Sequence, residues 1–124
     1  TLFVGAVGRP DLEAAPDQAR QRARWLYASL GRLLALPPHT LILPGHTSKP
    51  VAFDGRALAT TVAAARAGIP LLRLPEAEFV ATLLARLPAA PPNHHTIVEL
   101  NRAGARPVGD LAELEAGANR CAVA

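Results

Sequence analysis

The chain has 124 residues, of which 50% are hydrophobic, enough for one compact domain with a real core and too apolar for a disordered tail. Its 13 Lys and Arg against 10 Asp and Glu give a net charge of +3, with the arginines spread along the chain and only 4% aromatic residues, a poor composition for nucleic-acid binding. No apolar run approaches the roughly 20 residues of a membrane span and no basic start leads into an apolar stretch, so the expectation is a soluble cytoplasmic protein with no membrane partner.

Residues 1–7, Thr-Leu-Phe-Val-Gly-Ala-Val, have the β-branched and aromatic content of a buried strand, with Gly5 suggesting a bulge or a close backbone approach. A strand at residue one and no methionine anywhere lead to the expectation that this is the carboxyl-terminal part of a longer protein. Gly8-Arg9-Pro10-Asp11 breaks the strand. Arg9 and Asp11 either pair to brace the turn or face a ligand.

A helix is predicted from Pro16-Asp17 to the stop at Pro37-Pro38, with Asp17 as cap or first-turn acid. Ala19, Ala23, Leu26, Leu30, Leu33 and Leu34 recur at helical spacing as its buried face, with Arg20, Arg22 and Arg24 turned largely away. Trp25 and Tyr27 read as flank or core packing. A short turn leads to a second strand at residues 40–43, so strand, helix and strand form a βαβ unit with the strands parallel or near neighbours. This strand stops at Pro44-Gly45 and delivers His46 at its carboxyl end, where open α/β sheets place their chemistry. His46 is either a metal ligand or acid/base group, or a histidine satisfied within its loop. Lys49, in the polar loop after it, either meets an anionic substrate or is solvated.

Beyond irregular residues 51–55, the pattern predicts a helix over 56–67 with Leu58, Val62 and Ala65 on one face, stopped by Gly68 and Pro70. Residues 69–74 read as an apolar connector. Pro75 opens another helix, with Glu76 and Glu78 in its first turn and Phe79, Val80, Leu83, Leu84 and Leu87 as its buried stripe, ended by Pro88. Ala89-Ala90-Pro91-Pro92 is a stiff link. Asn93 then caps a last helix through Leu100 or Arg102, stopped by Gly104. Consecutive His94 and His95 should not face one way, which gives them a surface role in the first turn in place of a joint ligand role. The tail carries Asp110, Glu113 and Glu115. The single cysteine, Cys121, has no internal disulfide partner and reads as a bystander.

Several of these pieces together resemble one family. Thr-Leu-Phe-Val-Gly-Ala-Val-Gly-Arg-Pro-Asp-Leu at 1–12, Leu-Tyr-Ala-Ser-Leu at 26–30, and Leu-Pro-Gly-His ending at His46 resemble the second half of metallo-β-lactamase-fold enzymes. The similarity is to the glyoxalase II, persulfide dioxygenase and rhodanese-associated branch. Glu78-Phe79-Val80, Leu87-Pro88, Pro91-Pro92-Asn93, Ile97 and Asn101-Arg102-Ala103-Gly104 are similar to that branch's helical carboxyl terminus.

The resemblance implies an α/β fold class, the carboxyl-terminal half of an αββα sandwich followed by helices. It implies one partial domain over 1–124: a βαβ half-sheet ending in the Pro-Gly-His loop over 1–50, a helical region over 51–104 and a tail over 105–124. The family's metal site uses a His-x-His-x-Asp-His motif, a further histidine, an aspartate just before the Leu-Phe strand, and the histidine of Pro-Gly-His. Only His46 matches here; the motif is absent and the aspartate position falls just before Thr1.

The implied function is therefore part of a metal-dependent hydrolase acting on a glutathione-like thioester or related thiol conjugate, with zinc or iron in the intact parent. None of these metals is expected to bind tightly to this chain alone. In a dinuclear hydrolase His46 completes the second metal position; in the mononuclear iron persulfide dioxygenases, an alternative, the matching histidine orients a ligand instead. Arg9 and Lys49 are the implied substrate-binding residues. The expected partners are the amino-terminal half of the same fold and a small thiol-containing substrate. A non-catalytic α/β binding module is the alternative from another class.

Overall fold

The computed structural model describes residues 1–4, 9–45, 50–52, 54–90, 92–109, 111 and 114, with the strand at 2–4 described by its backbone alone. Gly5, Gly8, His46, Lys49, Asp110, Glu113, Glu115 and Cys121 lie outside them. The chain divides into two compact units, Thr1–Leu87 and Pro88–Ala124. The division falls at the start of the proline-rich link.

In the first unit, strand β1 (Leu2–Val4) leads to helix α1 (Pro16–Leu34) and strand β2 (Leu41–Pro44). β1 and β2 pair in parallel, Leu2 against Ile42 and Val4 against Pro44, which is the expected βαβ arrangement. A two-residue strand β3 (Thr60–Thr61) adds antiparallel to the other side of β2, giving a three-stranded sheet in the order β1-β2-β3. The fold class is mixed α/β.

Pro16 occupies the first turn of α1, where a missing N–H costs nothing. Gln18 reaches back, its Oε1 accepting from the Ala15 N–H at 3.2 Å, and Asp17 is a first-turn acid. The leucine face forms as the periodicity predicts: Ala19 and Ala23 are buried, and Leu26, Leu30, Leu33 and Leu34 are half-buried. Past the helix, the Thr40 N–H donates to the Pro37 carbonyl at 2.9 Å, turning the chain into β2. β2 is half-buried, not the fully buried strand that its apolar run suggests. Leu41 is 46% exposed.

The helix expected over 56–67 starts late. Residues 56–59 are irregular, Thr60–Thr61 is the strand β3, and helix α2 covers only Val62–Gly68. The hydrogen bonds explain why. The Val62 N–H donates to the Thr40 carbonyl at 3.1 Å and the Ala63 N–H to the Pro38 carbonyl at 3.0 Å. Thr61 Oγ1 accepts from the Ala64 N–H at 3.1 Å. Three of the first free N–H groups of α2 are thus satisfied by this start and would be lost to an earlier one. The apolar connector after α2 contains a 3-10 helix, Pro70–Arg73.

Helix α3 (Glu76–Ala85) follows Pro75 and carries Glu76 and Glu78 in its first turn. Ala23, Phe79 and Val80 form the buried core, with Leu26, Tyr27, Leu30, Leu71, Leu74, Leu83 and Leu84 packed around them. Tyr27 and Phe79 meet with ring centroids 5.3 Å apart at 57°, a tilted contact favoured by aromatic quadrupoles. Trp25 stands on the flank, 63% exposed. Arg24 and Glu76 form an ion pair at 3.6 Å at the margin.

In the second unit, helix α4 (His94–Ala103) ends at Gly104, whose φ of 60° allows the Ala105 N–H to reach the Leu100 carbonyl at 3.0 Å. Asn93 stands at the cap position without a side-chain cap bond; its Nδ2 donates instead to the Leu114 carbonyl at 3.0 Å. Among the described residues no helix is long and apolar enough to cross a membrane.

Candidate functional site

Parallel pairing sends β1 and β2 the same way, and Val4 opposite Pro44 makes them end together. The two sequences singled out for chemistry, Gly8-Arg9-Pro10-Asp11 and Gly45-His46, follow these two strand ends. The carboxyl ends of both strands therefore lie together at one edge of the sheet, where parallel α/β sheets place their sites. Residues 5–8, His46 and Lys49 lie outside the described residues, whereas Gly45 and the segment from Arg9 are described.

That segment is built tightly. The guanidinium of Arg9 forks onto the Asp11 carboxylate, Nε donating to Oδ1 at 3.0 Å and Nη2 to Oδ2, with both side chains mostly shielded from water. Pro10 between them is buried. The Ala14 N–H closes a turn onto the Asp11 carbonyl at 3.2 Å, and Glu13 takes a positive φ of 54° in it. Of the two roles open to Arg9 and Asp11, the pairing that braces the loop is present.

Arg22 was not expected to take part. It reaches back from α1, its Nη1 donating to the Leu12 carbonyl at 2.7 Å and Nη2 lying 3.5 Å from the Glu13 carbonyl. A charged donor on a carbonyl is stronger than a neutral pair, so Arg22 clamps the loop to the helix that follows it. Its neighbours Arg20 and Arg24 are exposed, and nothing in the local sequence separates the three. The distinction comes from where the loop folds back.

In the second unit the two histidines depart from expectation. The rings of His94 and His95 lie with centroids 3.9 Å apart at 38°, side by side in the first turn of α4. Side chains deeper in a helix are steered by the turn before them; in the first turn that constraint is missing, and consecutive rings can converge.

The chemistry of the donor set limits the part this chain plays in the metal site that the resemblance implies. A catalytic zinc site needs three protein ligands and an open position. Of the ligand positions implied by the resemblance, this sequence contains only His46. The residues present therefore do not make up that site by themselves. No protein-family model matches the chain, and no curated protein matches it.

Proposed function

We propose that the chain is the carboxyl-terminal part of a metal-dependent metallo-β-lactamase-fold enzyme. In this reading it is a hydrolase of glutathione-like thioesters or related thiol conjugates, with the other metal ligands supplied by the amino-terminal half of the same fold. The observation that carries the reading is the two-faced character of β2. Ile42 and Pro44 look toward the leucines of α1, where they share an apolar hollow with Leu30 and Phe79. By the alternation of a strand, Leu41 and Leu43 face the opposite way. On that face Leu41 is 46% exposed and Leu43 half-buried. A strand with helices on one side and leucines on the other suits one half of an αββα sandwich, whose second sheet would pack on Leu41 and Leu43.

In this reading the braced loop 9–14 and His46 stand at the edge where the two halves meet. When bound, the metal would supply a water acidified toward neutral pH and polarise the thioester carbonyl. The part of this chain is to carry His46 directly after β2 and to keep the Arg9 loop rigid. Arg9, already paired with Asp11, presents a fixed guanidinium in place of a mobile one, which suits orientation of an anionic conjugate.

The test is His46→Ala in the protein that joins this chain to its amino-terminal half. Loss of a ligand, or of a group that orients one, predicts a fall of roughly 10- to 100-fold in metal affinity together with slower hydrolysis of glutathione thioesters. Unchanged metal binding and unchanged hydrolysis would remove His46 from the site.

A further inference from the structure

The first unit contains an apolar hollow of about 370 Å³ between the sheet and its helices, walled by Leu30 and Leu34 of α1, Ile42 of β2, Val62 of α2 and Phe79 of α3. No polar atom of the described residues contributes to its surface. Water entering such a space finds none of the two to four polar partners that hold a buried water, and a charged group would lose its hydration without return. Hydrocarbon is the chemistry that suits the wall, and the volume lies within the range of ligand pockets.

A second hollow of about 290 Å³ shares the wall residues Leu34 and Val62 with the first, and it is lined by Arg66 and Arg73. Both arginines are exposed, and neither guanidinium has a hydrogen-bond or ion-pair partner among the described residues. Two unpaired forked cations in a hollow that shares two wall residues with an apolar one make a pair of subsites of opposite character. We propose that the first unit binds a single-chain anionic amphiphile, its hydrocarbon chain in the apolar hollow and its head group on Arg66 and Arg73. This site involves neither His46 nor the Arg9 loop, so it stands or falls apart from the metal-dependent reading.

The experiment titrates the full chain by calorimetry with laurate, dodecyl phosphate and dodecanol, each below its micelle concentration, and follows the methyl resonances of Leu30, Ile42 and Val62. Laurate is expected to bind with one-to-one stoichiometry and to shift those methyls. Dodecanol, with the same chain and no charge, should bind roughly fivefold more weakly, the scale of one exposed ion pair. The relative affinities of laurate and dodecyl phosphate distinguish a carboxylate from a phosphate head. The double variant Arg66→Ala/Arg73→Ala changes only exposed side chains; it should erase the preference for the anionic probes and leave dodecanol binding unchanged. Absence of saturable binding, shifts confined to other methyls, or equal affinity for laurate and dodecanol in the unsubstituted protein would overturn the proposal. So would an anionic preference that survives the double substitution.

Discussion

Phe79→Ala tests the packing on which the first unit depends. Phe79 is 1% exposed and is the largest fully buried side chain among the described residues, set against Ala23, Val80 and the ring of Tyr27. Truncating a buried phenylalanine costs about 3–5 kcal/mol, because the lost transfer energy is joined by the cavity left behind. At about 0.05–0.15 kcal/mol per residue, the unit Thr1–Leu87 has about 4–13 kcal/mol to lose. The existing apolar hollow touches Phe79, so the neighbouring leucines have room to relax and the lower part of the range is expected. Urea unfolding followed by far-ultraviolet circular dichroism reads this as a fall in midpoint at constant slope. A loss below about 1 kcal/mol would refute the assignment of Phe79 to the core, since only surface positions are that tolerant.

Other substitutions probe the loop and the sheet. Arg22→Ala removes a charged donor from the Leu12 carbonyl and should cost about 1.5–3 kcal/mol in the same unfolding assay, with faster amide exchange in residues 11–14. Asp11→Asn keeps the shape of the Arg9 partner and removes its charge; the expected loss is about 1 kcal/mol, shrinking in 1 M salt to the extent that the pair is reached by solvent (about 3 Å screening length). Leu41→Lys should change the stability of this chain alone by less than about 0.5 kcal/mol, because Leu41 is already 46% exposed. In the joined protein the same lysine would be buried against the second sheet, so it should destabilise by several-fold more; equal effects in both would argue against a sandwich.

What the sequence made legible follows its physical signals. α1 and α3 were readable because an apolar stripe of period 3.6 runs between prolines, and those are the elements that pack the core around Ala23 and Phe79. The βαβ pairing followed from two apolar runs on either side of one helix. β3 was hidden because Leu58, Val62 and Ala65 imitate a helical stripe across it; Leu58 proves to be 44% exposed. The local signal that remained was the β-branched pair Thr60-Thr61 just before an alanine-rich run, with Thr61 as its cap. The carbonyls of Pro38 and Thr40, which fix where α2 starts, are too distant in sequence for a local pattern to reveal. Asn93 shows the converse: a good capping residue was spent on the Leu114 carbonyl. At the site, the pairing of Arg9 with Asp11 could be foreseen from their spacing in a turn, whereas the reach of Arg22 depends on tertiary structure alone.

Metal content, measured on the protein in which this chain is joined to the proposed amino-terminal half of the fold, bears most directly on the proposed site. Tightly held zinc or iron is expected there, with no comparable catalytic site in the 124-residue chain alone, because it contains only His46 of the implied catalytic ligands. Two zinc-like ions would support the hydrolase, and a single iron with oxygen consumed on a persulfide would move the assignment to the dioxygenase branch. A joined protein that purifies without metal and gains no affinity for zinc or iron would rule out the metal-dependent enzyme.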